Sequence, residues 1–253
     1  LHFKTGHVFC YKLLQKAAIV TSYEKQAYSE MSNWRREMQR KPTFTGRLAG
    51  RLQGKLNSYV PEKVHRVITT AFKHVVQALL KGAEFVSGAP LKDAGLEERE
   101  RRVEDRISFY KNTSAAEGAI TGAGGFLLGL ADFPIWLTLK MKMLSEIARM
   151  YGFDISDYKE RVYILYIFQL AFSAREHRRN IFSIIAGWET TSLALPAPDE
   201  FEWRKFQQEY RDYIDLAKMA QLIPIIGAPV GAVVNYKLIN KLGDTAINAY
   251  RMR

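Results

Sequence analysis

Asp132 and Glu117 are the residues of this chain best placed to do chemistry. They lie in or beside Ala119 to Leu139, a stretch whose polar residues are Thr121, Asp132 and Thr138. A carboxylate among apolar neighbours resists ionisation, so its pKa rises and it can act as acid or base near neutrality. Asn235 closes a second apolar run, Leu222 to Val234, and can join the two carboxylates as a polar anchor at the floor of an apolar groove. On this reading Asp132 or Glu117 would be the acid or base of a hydrolase acting on a lipid or peptide. Asp132 has a second reading. It directly precedes Phe133-Pro134, and an aspartate there caps a helix that proline opens. A cap at the floor of a pocket satisfies both.

Little else in the chain can carry a reaction. The five histidines, His2, His7, His65, His74 and His177, never fall three or four residues apart. With Cys10 the sole cysteine, no zinc-type ligand set and no internal disulfide can form, and a reducing compartment fits best. Gly122-Ala123-Gly124 fails the dinucleotide fingerprint because Leu127 stands at its third glycine, and no Lys-Ser/Thr follows to make a phosphate loop. There is no Gly-x-Ser-x-Gly elbow. The expectation is therefore no metal, no cofactor and, on balance, no enzyme.

The carboxylates sit on an unusual scaffold. Ala115, Gly118, Gly122, Gly125 and Gly129 recur at spacings of three and four, and Asp132 continues the series. On a helix that spacing places every glycine on one face. Each costs about 1 kcal/mol against alanine in a helix interior, so such a lane implies that another backbone or a flat apolar ligand comes close. A second lane, Pro224, Gly227, Gly231 and Asn235, lies near the other end of the chain. The economical expectation is that the lanes face each other and bring Asp132 near Asn235. Helix packing, a ligand groove and a hairpin dipping into lipid are the three readings of that arrangement. A full membrane span is disfavoured, because Asp132 and Pro134 interrupt the first run and thirteen residues are too few for the second.

The elements that position these lanes read as helices almost throughout. Tyr23 to Lys41 is amphipathic and stops at Pro42; Val64, Ile68, Val75 and Leu79 carry a stripe that begins after Pro61. A charged segment, Glu97 to Arg106, leads into the first lane, and Pro134 opens a helix to Met150 with Gly152 as its C-cap. Asp157 with Glu160, and Asp199 with Glu202, make capping-box signatures. No alternating strand pattern appears. These signals predict one all-α domain of about eight to ten helices, with the two lane helices packed centrally.

Charge points to a partner. Residues 1–90 carry nine Lys and six Arg against five Glu and no Asp, and so hold ten of the eleven net positive charges. Trp34 stands beside Arg35 and Arg36, while Arg47, Arg51 and Lys55 form a basic row next to Phe44, Leu48, Leu52 and Leu56. Cations, apolar residues and an aromatic ring in this order suit an anionic membrane surface. A solvated basic face over a leucine core is the competing reading. Nucleic acid is not expected, because the aromatics follow apolar helical stripes and no recognition motif is present.

Several segments together resemble the bacterial EcsC family: Gly118 to Pro134, Tyr151-Gly152-Phe153-Asp154, Glu160-Arg161 leading into Ile164-Leu165, Pro61 to Val64, and Ile223 to Gly231 with Asn235. The resemblance implies a helical protein without true transmembrane spans; with the charge pattern, residues 1–42 read as a basic amphipathic region and 43–253 as the EcsC-like part of one domain. The family is named for the third gene of an ABC-exporter operon. An association with membranes and secretion follows as an expectation, with the protein on the cytoplasmic face and an exporter or a bound lipid or amphiphile as partner. The resemblance implies no established reaction.

Overall fold

The computed structural model describes residues 21–40, 62–82, 88–123, 133–173, 175–196 and 227–253; at 62–65, 115–123, 175–176, 227–232 and 234 the backbone alone is described. Eight α-helices account for most of these residues: α1 (Ser22–Gln39), α2 (Glu62–Lys81), α3 (Leu96–Ala123), α4 (Phe133–Met150), α5 (Tyr158–Phe172), α6 (Arg175–Ala186), α7 (Trp188–Thr191) and α8 (Gly227–Arg251). A 3-10 turn, Ser192–Ala194, follows α7, and no strand occurs among the described residues. The Asp199–Glu202 signature lies outside them.

Local chemistry sets the helix ends. Thr21 caps α1 through its hydroxyl, which accepts from the Glu24 amide, while the Glu24 carboxylate accepts from the Thr21 amide. Gly152 ends α4 as expected. Its φ is +92°, the Gly152 amide donates to the Arg149 carbonyl, and the Phe153 amide donates to the Ala148 carbonyl. That double bond pattern is the Schellman motif, which needs a residue tolerant of left-handed backbone. Asp157 caps α5 by accepting from the Lys159 amide. Glu160 does not complete the capping box there; its carboxylate turns inward to Tyr250 and Arg253.

The apolar faces converge on one core. Ile68, Val75 and Leu79 of the expected α2 stripe are buried, as are Val103, Ile107 and Tyr110 of α3. Helix α5 is buried almost all round, from Val162 to Phe172, which fits a helix enclosed by neighbours on every side. Helices α3 and α8 pack together more extensively than any other pair. They run antiparallel. Ile107 lies against Gly243, where an added Cβ would come 2.6 Å from Ile107 Cδ1; the Lys111 amine sits 5.1 Å from the Tyr236 ring; Asn235 Nδ2 donates to the Ser114 carbonyl at 3.3 Å.

Candidate functional site

Two buried polar clusters interrupt this core, one at an end of the bundle and one inside it. The first gathers four segments around Glu100, which is 1% exposed. Its carboxylate accepts from Tyr23 at 2.6 Å, Tyr151 at 2.9 Å and Arg251 at 2.8 and 2.7 Å. Arg251 also pairs with Glu30 at 2.9 Å. Burial opposes the Glu100 charge, but the hydrogen bonds from Arg251, Tyr23 and Tyr151 outweigh it and hold the carboxyl below its usual pKa. Tyr151 is pushed up, first by burial and then by the Glu100 charge. Nearby, Glu160 accepts from Tyr250 at 2.7 Å and pairs with Arg253, whose guanidinium lies 3.9 Å from the Phe153 ring centre and 4.5 Å from that of Tyr163. Here burial wins, and the Glu160 pKa is raised despite Arg253. A surface cavity of about 320 Å³ opens beside this pair, lined in part by Phe153, Asp157, Trp188, Glu189 and Arg253. These contacts tie α8 and Arg253 to α1, α3, α5 and Tyr151 just after α4, and satisfy charges that would otherwise be costly to bury.

The second cluster joins α3, α4 and α8 in mid-bundle. Trp136 Nε1 donates to Asn235 Oδ1 at 2.8 Å, and the Lys140 amine lies 3.1 Å from Ser114 Oγ and 4.4 Å from the Trp136 ring centre. Ser114 and Lys140 are fully enclosed and Asn235 is 4% exposed. A buried ammonium requires compensation; the hydroxyl and the indole face are two of its contacts. A serine hydroxyl beside a lysine amine is also half of a nucleophile–base pair. Enclosure on all sides leaves a substrate no approach to it, and the cluster acts as a polar tie.

The sequence-selected residues divide sharply. Asn235 reaches the polar tie, with Ser114, Trp136 and Lys140 as neighbours that sequence reasoning did not select. Glu117, Gly118 and Gly122 lie on α3, and Gly227 and Gly231 on α8. Asp132, Gly125, Gly129, Pro224, Arg47, Arg51 and Lys55 lie outside the described residues, and so does the proposed meeting of Asp132 with Asn235. Trp34 is half-buried, packed edge-on against Phe182 at 5.6 Å, and its neighbours Arg35 and Arg36 are exposed. Lys140 carried a legible signal: a lone lysine four residues after Trp136 on an apolar helix face. Glu100 and Arg251 carried none, being ordinary members of charged or terminal segments until the fold joins them.

The described structure is thus a helical bundle with buried polar ties. Among its described residues no group of His, Cys, Asp or Glu could hold a metal ion, and no helix is long and apolar enough to cross a membrane. The chain belongs to the EcsC protein family, whose model matches residues 25–253. It is 41% identical over 225 residues to Protein EcsC of Bacillus subtilis (strain 168), covering 88% of this chain and 93% of that protein. It is 27% identical over 216 residues to the Uncharacterized protein YdbA of the same organism, covering 84% and 79% respectively. No solved structure matches.

Proposed function

We propose that this chain is a peripheral factor at the cytoplasmic face of an anionic membrane, serving the export system that the EcsC resemblance implies. The observation that supports this best is the exposed Arg35–Arg36 pair beside half-buried Trp34. Helix α1 is held to the bundle by Ala27 and Met31 and by the partly buried Trp34 and Met38. Its basic face is therefore available to phosphate groups, each cation contributing up to about 1 kcal/mol near such a surface. The lane helices fit the same reading. If the pairing of Ser114 with Asn235 continues along the two helices, Gly118 would come opposite Gly231 and Gly122 opposite Gly227. Backbones in that register could approach as closely as packed membrane helices do.

Co-sedimentation with vesicles tests the proposal. Phosphatidylglycerol-containing vesicles should carry the protein down and pure phosphatidylcholine vesicles should not. Binding should weaken as salt rises, since exposed charges are screened over about 8 Å at physiological ionic strength. Changing Arg47, Arg51 and Lys55 together to Glu should release the protein while its melting temperature holds. Undiminished binding by that variant would remove the 47–55 row from the reading. Equal binding to neutral vesicles would remove the electrostatic reading altogether.

A further inference from the structure

The bundle has two unlike ends. Tyr23, Leu80, Glu100, Tyr151, Glu160 and Arg251 meet through the hydrogen bonds of the Glu100 and Glu160 clusters and the Arg161 bond to the Leu80 carbonyl. These residues stand near the start of α1, α3 and α5 and at or just beyond the end of α2, α4 and α8. Trp188, just past α6, packs on Tyr163 there as well. The opposite end therefore holds the C-termini of α1, α3 and α5 and the N-termini of α2, α4, α6 and α8. It is also the end to which both glycine lanes lead.

Toward that end the described charges are one-sided. Arg36 and Arg40 of α1, Arg66 of α2, Arg179 of α6 and Lys237 of α8 are exposed in that half, against Glu37 as the described carboxylate. Ile135 of α4 and Val233 of α8 lie at similar height and are 59% and 54% exposed.

Building on the membrane reading above, we infer that the lane end is the face that docks on an anionic bilayer, its exposed arginines gripping phosphates around Ile135 and Val233. The bundle then stands upright on the membrane and its Glu100 end points away. Apolar side chains inside a basic collar are what interfacial binding requires.

The test uses the full chain with Cys10→Ser and one new cysteine at a time, Ile135→Cys, Val233→Cys or Leu193→Cys, each labelled with an environment-sensitive NBD dye. Leu193 is 78% exposed, just after α7 at the Glu100 end. On adding phosphatidylglycerol vesicles, the labels at 135 and 233 should brighten several-fold and shift to the blue, and the label at 193 should not change. Separately, Arg36→Glu with Arg179→Glu should weaken vesicle affinity at least about tenfold, while Lys25→Glu with Arg101→Glu at the other end should leave it within about twofold. A response at 193 equal to that at 233, or equal losses from the two charge reversals, overturns the orientation and leaves membrane binding standing. No vesicle binding by the parent chain overturns the membrane reading, and this inference with it.

Discussion

Replacing Glu100 by Gln should be among the most damaging single-atom changes available in this protein. The carboxylate is 1% exposed and faces Arg251, whose side chain is 10% exposed. Gln preserves the shape and two of the polar contacts but removes the charge that compensates the guanidinium. Breaking a buried ion pair on one side costs about 3–5 kcal/mol, because the survivor stays buried without its counter-charge. Glu30 still reaches Arg251 from a half-exposed position, so the lower end, about 3 kcal/mol, is expected. For a chain of this length each kcal/mol moves the melting temperature by about 2–4 °C, which gives a fall of about 6–12 °C at pH 7.

The pH dependence has a fixed sign. The Glu100 pKa in the folded state is lowered, so its contribution is complete above the unfolded value, about 4.3. It drains away as pH falls through the lower folded value. The gap between parent and Glu100→Gln should therefore close in acid. Removing both charges, with Glu100→Leu and Arg251→Met together, should cost less than Glu100→Gln alone, by at least about 1 kcal/mol. Thermal melts followed by circular dichroism between pH 3 and 8 measure all three. A Glu100→Gln melt within 2 °C of the parent (about 1 kcal/mol or less) would refute the reasoning. A double variant worse than the single would show that the tyrosines, not the ion pair, carry the stability.

Glu160→Gln should be milder than Glu100→Gln at pH 7, because burial raises the Glu160 pKa; that group's contribution is full below about 4.3 and is lost as pH rises through its folded value, and the same melts report it. Gly243→Ala should cost about 1–3 kcal/mol by overpacking, since the new Cβ would lie 2.6 and 3.0 Å from Ile107 Cδ1 and Cγ1; adding Ile107→Val should recover part of it, and an unchanged melt in Gly243→Ala would mean that α3 simply shifts. Gly122→Leu should cost at least about 1–3 kcal/mol if the lanes meet as their register suggests, and an unaltered melting temperature would place that face against solvent or a cavity. Asp132→Asn should be nearly harmless for a helix cap while Asp132→Ala costs about 1 kcal/mol; equal unfolding by both would reject the cap.

Much of the helical architecture was legible from local signals. Ile68, Val75 and Leu79 announced the buried face of α2 through their spacing, Pro134 and Gly152 marked the bounds of α4, and Asp157 marked the start of α5. These succeed because caps, prolines and apolar periodicity act within a turn or two of helix. Family membership was equally legible, since it rests on linear segments.

The polar sites were another matter. Glu160 resembled a capping-box partner because Asp157 stands three residues earlier, but burial beside Tyr250, 90 residues away in sequence, gave its carboxylate a stronger set of bonds. Trp34 looked like an interfacial anchor, and its ring packs on Phe182 of a helix far along the chain. Lys140, Ser114 and Asn235 became neighbours through the antiparallel seating of α3 on α8 and their shared contact with α4. The sequence by itself determined α1, α2, α4 and α5, the apolar face of α2 and the family, because each depends on residues a few positions apart. Which charges are buried in pairs, and which arginines of α1, α2 and α6 gather at one end, only the tertiary structure decided, because those relations depend on the direction in which each helix runs.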